Sequence, residues 1–432
     1  MTPNPTVAIV EDVPTEMQEK FASILSDHGI KDEIDTITMV HPPELKGEHM
    51  ATATVYVTIN FKDATKKPKN LFVKKFTNSE LFTKASRDMK IMDKESEFFN
   101  KFLPACREFC AKFEGCKDLL HFFPACLYGD ENMVVLENHV LDDEFVMLSK
   151  EELQDLETAK HVLGNLARFH AVTHSMVDEC GGRDAFLSKW NLVCHEPLMT
   201  EDNPFVKGMF DNGLNTCLTI LKGVSLPDAK ETATKITAMI GHTFTGVMKC
   251  LAVSPEDKVV LVNHGDCWNN NMLFKIDTNS DGKMVIKEHM FVDLQITRFT
   301  SPCVDVTYFL HTSVKSEVRR EHLKDLLTHY HSTFSGTLTR FNKKCPNTFE
   351  ELFSDYKSRA YYGYLSNLNF FAMIGALKEL DFENMGGTTP EEMVEGFNRI
   401  MNAWIANNPV KSTKMAQGMI DVVKEYGNLM ES

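Results

Sequence analysis

The sequence has no apolar run that approaches the length needed to cross a membrane. Its first residues, MTPNPTVAIVEDVPTEM, also lack the basic region and apolar run that a secretory signal requires. No disulfide framework is indicated, because the 11 cysteines are odd in number and scattered, which is typical of reduced thiols in the cytosol. We therefore expect a soluble, cytoplasmic protein.

An excess of positive charge is also missing. The chain has 46 lysine and arginine residues against 61 aspartate and glutamate residues, which gives a formal net charge of -15 at pH 7. This balance opposes non-specific attraction to nucleic acid and to anionic membrane surfaces, so we expect neither as a partner. An anionic ligand would need cations or a metal ion placed locally, and no obligate protein partner is indicated.

A zinc site is not indicated either. Cys106, Cys110, Cys116 and His121 lie close together in the sequence, but their spacing matches no common zinc signature. We therefore interpret the three cysteines as buried thiols.

No repeat, low-complexity segment or long linker divides the 432 residues, which are enough for two substantial cores. Residues 15–28 have the apolar spacing of a helix, and residues 52–61 and 70–76 are rich in the β-branched and aromatic residues typical of a strand hairpin. A helix over 89–103 and a strand over 132–137 are predicted next.

From residue 151 onward the pattern is mostly helical, most clearly over 156–176, and strand-like segments return only within 259–298. We therefore predict an α+β fold with two lobes. The N-terminal lobe, residues 1–137, is a small antiparallel sheet with helices, and the larger C-terminal lobe, residues 138–432, is mainly helical.

The strongest chemical signal is HGDCWNNNMLF, which begins at His264 and is followed by FVDLQ. Phosphoryl transfer is catalysed mostly by positioning and charge neutralisation, so it needs a residue that orients the acceptor and hard oxygen ligands for Mg²⁺. Asp266 is the predicted catalytic residue, which orients the acceptor hydroxyl and takes its proton. Asn271 and Asp293 are the predicted Mg²⁺ ligands at the phosphates of ATP, and His264 is predicted to support the loop through hydrogen bonds.

This hypothesis also requires a strand lysine and a helical glutamate that holds it. The strand LFVKKF contains Lys74 and Lys75, and the helix that follows contains Glu95 and Glu97. Neighbouring side chains of a strand point to opposite faces, so only one of the two lysines can face the nucleotide. We predict Lys74, with Glu95 as its ion-pair partner.

The apolar strand MVVLE is predicted to end the first lobe as a hinge. It closes at Glu137 and is followed by Asn138. We expect backbone groups at these two residues to bind the adenine of ATP.

Taken in order, these segments resemble a known family. GEHMATATVYV, LFVKKF, ESEFFNKFLP, VVLEN, LARFHAVTHS, HGDCWNNNMLF, FVDLQ and SPCVDVTYFL are similar to the ecdysteroid kinase-like (CHK kinase-like) family, whose relatives are the choline and aminoglycoside kinases. The resemblance implies a two-lobed protein-kinase-like fold and ATP- and Mg²⁺-dependent transfer to a small hydroxylated acceptor, ecdysteroids being the best-known substrates. It also implies that Asp305 braces the catalytic loop and that His170 packs behind it. The loop before the first strand has a single glycine, Gly47, where protein kinases use several.

Two features disfavour a folded protein as the substrate. Protein kinases place Arg after the loop histidine and Lys two positions after the catalytic aspartate, whereas this sequence has Gly265 and Trp268. The chain between Asp293 and Asp305 is also too short for an activation segment.

The segment between the two motifs contains a calcium-like pattern, since Asp277, Asn279, Asp281, Gly282 and Glu288 match the EF-hand loop. An EF-hand needs a helix on each side, but both flanking segments are apolar and β-prone. We therefore predict a hairpin turn at this place.

The acceptor pocket is expected between the catalytic loop and the C-terminal helices. An aromatic run either lines this pocket or belongs to the helical core. Its members are Tyr356, Tyr361, Tyr362, Tyr364, Phe370 and Phe371. An ecdysteroid or other sterol-like alcohol is the favoured acceptor, a choline- or aminoglycoside-type compound is the alternative, and a pseudokinase that binds without turnover is the hypothesis from a different class.

Overall fold

The computed structural model of the protein places an antiparallel sheet with helices first and a mostly helical part after it, so the predicted α+β architecture is confirmed. The described residues are 9–11, 13–41, 52–76, 80–148, 153–201, 203–280, 282, 284–374 and 390–431. Gly47, predicted to lie in the loop above the phosphates, is outside these residues.

The N-terminal sheet is antiparallel, and within the described residues it has six strands in the order β1-β2-β3-β4-β6-β5. The strands are β1 (Ile9–Glu11), β2 (Ile34–His41), β3 (Thr52–Phe61), β4 (Lys69–Phe76), β5 (Cys126–Gly129) and β6 (Met133–Glu137). Lys74 pairs with Thr54 of β3 on one side and with Val134 of β6 on the other, so it lies in the interior of the sheet. The sequence predicted β3, β4 and β6, but not β1, β2 or β5.

The helices of this part are α1 (Thr15–Asp27), α2 (Glu80–Asp88), α3 (Ile91–Glu97) and α4 (Leu103–Ala111). A π-helical segment, Phe98–Phe102, joins α3 to α4. The helix predicted over 89–103 therefore begins later and ends later than expected. Pro104 does not end it, because it lies in the first turn of α4, where a missing N–H costs little.

The helices of the second part surround two short pairs of strands. They are α5 (His139–Asp142), α6 (Leu156–Glu179), α7 (Arg183–Lys189), α8 (Asn191–Cys194), α9 (Pro204–Lys222), α10 (Ala229–Thr237), α11 (Thr243–Leu251), α12 (Pro302–Ser313), α13 (Ser316–Arg340), α14 (Phe349–Ile374), α15 (Pro390–Asn407) and α16 (Pro409–Glu431). The long helix α6 begins where the sequence predicts it, because the Asp155 carboxylate accepts a hydrogen bond from the Thr158 N–H at 2.9 Å.

The short strands of the second part are β7 (Leu261–Asn263), β8 (Met272–Thr278), β9 (Met284–Phe291) and β10 (Arg298–Thr300). β7 pairs with β10 and β8 pairs with β9, in both cases antiparallel. β7 leads into the HGDCW loop and β9 ends two residues before Asp293. Asp266 therefore lies before the β8–β9 hairpin and Asp293 after it, and this topology places both predicted carboxylates at the same end of the hairpin.

The largest hydrophobic core contains residues on both sides of the predicted lobe boundary, for example Phe98 and Phe123 before it and Phe169 and Phe291 after it. The boundary between residues 137 and 138 stays a prediction. The same core buries the cluster for which we predicted buried thiols, Cys106, Cys110 and Cys116. Among the helices of the described ranges, none is both long and apolar enough to span a bilayer.

Candidate active site

The HGDCW loop turns sharply at Gly265, which has a φ of 90°. A Cβ at this position would overlap the carbonyl oxygen of Ile296, in the segment that follows the second predicted carboxylate. Both the backbone conformation and the close approach require glycine. The arginine that protein kinases have at this place would therefore not fit.

The loop is braced by a buried carboxylate of α12. Asp305 accepts hydrogen bonds from the N–H of His264 at 2.6 Å and from the N–H of Gly265 at 2.9 Å. The His170 ring contacts Asp305 Oδ2 at 3.2 Å and the Tyr330 hydroxyl at 2.8 Å, so both ring nitrogens of this buried histidine have partners. Burial opposes the charge of Asp305, but the hydrogen bonds that it accepts, including those from His170 and the Gly265 N–H, outweigh this effect and keep the pKa of Asp305 below its usual value.

His264 links the loop to the strand that precedes Asp293. Its Nε2 lies 3.1 Å from the carbonyl oxygen of Val292, and its Nδ1 accepts a hydrogen bond from the Asp266 N–H at 3.3 Å. Burial lowers the pKa of the ring. A neutral imidazole that donates from Nε2 and accepts at Nδ1 agrees with the predicted supporting role.

Asp266 is held by two neutral donors. The hydroxyl of Tyr308 donates to Oδ1 at 2.6 Å, and the Asn271 side-chain amide donates to Oδ2 at 2.8 Å. Burial raises the pKa of Asp266 to about 6, and the nearby charge of Asp293 adds to this effect. Sequence reasoning missed Tyr308, although its position three residues after Asp305 in a helix places both on one face.

Asn271 and Asp293, the predicted metal ligands, are brought together by the backbone. The Val292 N–H donates to the Asn271 carbonyl oxygen at 3.0 Å, so the end of the 3₁₀ turn (Asn269–Asn271) lies beside the end of β9. Asp293 has a φ of 66°, which is uncommon for a residue other than glycine. An amide and a carboxylate fit Mg²⁺, because this ion takes oxygen ligands and completes its shell with phosphates and water.

Lys74 contacts the carboxylates of two distant segments. Its Nζ lies 2.8 Å from Glu95 Oε2 and 2.7 Å from Asp293 Oδ1, so the predicted ion pair with Glu95 is present. Lys74 is 3% exposed, and Lys75 is only half-buried. Burial disfavours the charge of Lys74, but Asp293 and Glu95 outweigh it and raise the pKa of the ammonium. Glu95 also accepts the Leu294 N–H at 3.1 Å.

A second buried lysine, which sequence reasoning missed, fixes the helix that carries Glu95. Lys94 Nζ donates to the carbonyl oxygens of Val193 at 3.1 Å, His195 at 2.6 Å and Thr297 at 2.8 Å. Burial lowers the pKa of Lys94 to about 7. These bonds tie α3 to the segment that follows Asp293, so the position of Glu95 relative to that segment is fixed.

The predicted hinge residues lie at the end of β6. The Glu137 carboxylate forms an ion pair with Lys69, whose Nζ lies 2.7 Å from Oε1. The buried Asn138 donates its N–H to the Asn70 carbonyl oxygen at 3.3 Å and caps α5, where its side chain accepts the Leu141 N–H at 3.1 Å. Their part in binding adenine stays a prediction.

The calcium-like segment is a hairpin turn, as predicted, because the strands β8 and β9 flank it where an EF-hand has helices. Gly282, with a φ of 75°, donates its N–H to the Asn279 carbonyl oxygen at 3.0 Å inside the turn. Asp281 lies outside the described residues. In the part of the chain that the structure describes, no group of three or more His, Cys, Asp and Glu side chains is arranged to hold a metal ion.

The aromatic run contributes mostly to the core. Tyr356 is fully buried, and the buried Tyr364 stacks on Tyr426 with ring centroids 4.3 Å apart. Tyr362 is the member near Asp266, because it stacks on Tyr308 at 5.5 Å with an interplanar angle of 21°. The side chains of Phe370 and Phe371 are outside the described residues.

Comparisons with known proteins identify a family. The model of the Ecdysteroid kinase-like family matches residues 46–343, more than half of the chain and a span that contains the site. A comparison with curated proteins found no match. Among solved structures, the chain is similar to a GDP complex of a point mutant of aminoglycoside 2'-phosphotransferase-IIIa, with 11% identity, a TM-score of 0.41 and coverage of 91% of this chain and 99% of that chain.

Proposed function

Because the chain belongs to the Ecdysteroid kinase-like family, we propose that it is a phosphotransferase that moves the γ-phosphate of ATP onto a hydroxyl of a small molecule. The proposed location is the cytoplasm. Residues 1–137 would cover the nucleotide, and residues 138–432 would carry the catalytic loop, the metal ligands and the acceptor pocket.

The observation that carries this proposal is the position of Lys74 between Glu95 and Asp293. A buried ammonium between a helical glutamate and a second carboxylate at the end of a strand is the arrangement that phosphoryl transfer needs on the nucleotide side. Glu95 would hold Lys74 while the ammonium contacts the phosphates of ATP. Backbone groups at Glu137 and Asn138 would bind the adenine.

Asn271 and Asp293 would hold Mg²⁺, which when bound neutralises charge on the phosphates. Asp266 would orient the acceptor hydroxyl and accept its proton while the acceptor oxygen bonds to the γ-phosphorus and the bond to ADP breaks. The pKa of about 6 suits this task, because the carboxylate is ionised at neutral pH and is still basic enough to accept a proton. Asp305 and His264 would act through the loop backbone.

The favoured acceptor is an ecdysteroid or another sterol-like alcohol, on the basis of the family. A choline- or aminoglycoside-type acceptor is the alternative within the same reaction class. A pseudokinase would keep nucleotide binding without turnover.

The test is ATP consumption by the purified protein with Mg²⁺ and a panel of ecdysteroids, other sterols, choline-like amines and aminoglycosides. Turnover with one acceptor class is expected. In the same assay, Asp266→Ala should lower kcat about 10² to 10⁴-fold, because a positioned general base is lost. A thermal melt of the variant controls for folding.

Each outcome decides between the hypotheses. ATP binding without turnover on any acceptor would favour the pseudokinase. Turnover that Asp266→Ala leaves undiminished would refute the mechanism, although the protein would still be a kinase.

A further inference from the structure

The helix α12 holds the catalytic loop at two places. Asp305 binds the loop backbone at His264 and Gly265, and Tyr308, one turn later on the same face, binds the Asp266 side chain. A single rigid element therefore positions both the main chain of the loop and its reactive carboxylate.

Tyr308 is itself held in a buried stack. Its ring lies against Tyr362, whose hydroxyl receives a hydrogen bond from Arg298 Nη1 at 3.2 Å. Arg298 is 2% exposed, and its Nε lies 2.7 Å from Glu196 Oε2. The stack leaves Tyr308 little freedom to move away from Asp266.

The two oxygens of Asp266 are bound from different directions, Oδ1 by Tyr308 and Oδ2 by Asn271. The torsion that rotates an aspartate carboxylate is soft, so packing alone sets its orientation poorly. Tyr308 acts as a donor in this pair, because burial and the neighbouring carboxylate keep the pKa of its hydroxyl well above the usual value.

We propose that Tyr308 is a positioning residue, whose hydroxyl fixes the rotation of the Asp266 carboxylate so that one oxygen faces the acceptor hydroxyl. This inference rests on the proposed function, in which Asp266 is the group that receives the proton. Tyr308 contacts neither the nucleotide nor the acceptor in this role and acts only through Asp266.

The test is Tyr308→Phe, which keeps the ring that stacks on Tyr362 and removes only the hydroxyl. We expect kcat for the acceptor to fall about 10-fold, since small misplacements of a reacting group are costly. The KM for ATP and the melting temperature should stay close to those of the wild type. This split between kcat and KM distinguishes positioning from a structural role, which would change stability and nucleotide binding as well.

The matched control is Tyr364→Phe, which removes a hydroxyl from a different buried stack of α14, the one against Tyr426. Its kcat should stay close to that of the wild type even if its melting temperature falls. A Tyr308→Phe variant with wild-type kcat would overturn the inference. So would a Tyr364→Phe variant whose kcat falls as far as that of Tyr308→Phe.

A readout without turnover separates this inference from the proposed function. Crystal structures of the wild type and of Tyr308→Phe should show the Asp266 carboxylate in one orientation in the first and rotated or in several orientations in the second. An unchanged carboxylate would refute the positioning role even in a protein that proves to be a pseudokinase. A rotated carboxylate would support it in either case.

Discussion

The proposed nucleotide side and the proposed acceptor side of the candidate site each contain one aspartate, and the two aspartates are held in opposite ways. Asp293 contacts a buried cation, Lys74, at 2.7 Å. Asp266 contacts a hydroxyl and an amide, which are neutral donors. Asp266 precedes the β8–β9 hairpin and Asp293 follows it, so both lie at the same end of the hairpin. They differ in the charge of the groups that contact them.

The two environments suit the two aspartates to different proposed tasks. A carboxylate beside a fixed ammonium is favoured in its charged form and is suited to hold a metal ion. A carboxylate that must accept a proton needs a pKa not far below the working pH. Burial raises the pKa of Asp266 to about 6, although the hydrogen bonds from Tyr308 and Asn271 oppose this rise.

The two aspartates also differ in backbone conformation, because Asp293 has a positive φ and Asp266 does not. A φ of 66° at Asp293 costs on the order of 1 to 3 kcal/mol. The surrounding bonds compensate for this cost, because Lys74 holds the side chain and Glu95 accepts the N–H of the next residue, Leu294.

The largest effect is expected from Asp293→Asn, which removes the charge on the nucleotide side and leaves the acceptor side intact. Turnover should fall about 10³-fold, since charge neutralisation dominates phosphoryl transfer. Steady-state kinetics over a range of Mg²⁺ concentrations measures this loss.

The matched control is Asp277→Asn beside the hairpin turn, where the exposed carboxylate pairs with Lys287 and accepts the Thr278 N–H. This variant should keep wild-type turnover, because exposed ion pairs contribute little. If the turnover of Asp293→Asn stays within about 10-fold of that of the wild type, the charge of Asp293 contributes little to catalysis and the proposed role on the nucleotide side is wrong.

A smaller effect is expected from pH, and it reports on the acceptor side alone. In the proposed mechanism the active form of Asp266 is ionised, so kcat/KM should reach its plateau above about pH 7 and fall as the pH drops through the pKa of about 6. The limiting decline is about 10-fold per pH unit. Melting curves over the same pH range show whether the protein stays folded.

The proposed difference between the two aspartates would be wrong if the fall of kcat/KM at low pH had its midpoint at about pH 4, the ordinary pKa of an aspartate. In that case burial would not raise the pKa of Asp266, and its proton affinity would be that of an exposed carboxylate.

The residues that sequence reasoning identified share a local signal. His264, Asp266 and Asn271 lie within one loop, where their spacing can be read directly. The choice of Lys74 over Lys75 follows because neighbouring side chains of a strand point to opposite faces. The family suggested by the motifs is confirmed by the match over residues 46–343. The catalytic and ligand roles of these residues stay predictions until activity is measured.

The features that sequence reasoning missed depend on contacts between distant parts of the chain. Tyr308 reaches Asp266 across 42 residues, and Arg298 reaches Tyr362 across 64. Helical periodicity also did not decide between pocket and core for the tyrosines of α14, because a buried stack beside the active site and a plain core have the same apolar spacing. Only the packing separates Tyr362 from Tyr364.

The smallest effect is expected where the two sides meet. Gly265 follows the β7 strand, binds Asp305 and lies against the backbone of Ile296, just after the Asp293 segment. Gly265→Ala adds both an unfavourable φ and an overlap with a carbonyl oxygen. At Gly282 the φ is 75° and no atom lies near the added methyl, so Gly282→Ala adds only the unfavourable φ.

Chemical denaturation of both variants therefore isolates the close approach of the two segments. Gly282→Ala should lower the free energy of unfolding by about 1 kcal/mol, the ordinary cost of a side chain in this conformation. Gly265→Ala should lower it by about 2 kcal/mol more, because a buried overlap must be relieved by moving backbone. Equal losses in the two variants would mean that the loop and the Asp293 segment can separate at little cost, and the two aspartates would then not be rigidly held relative to each other.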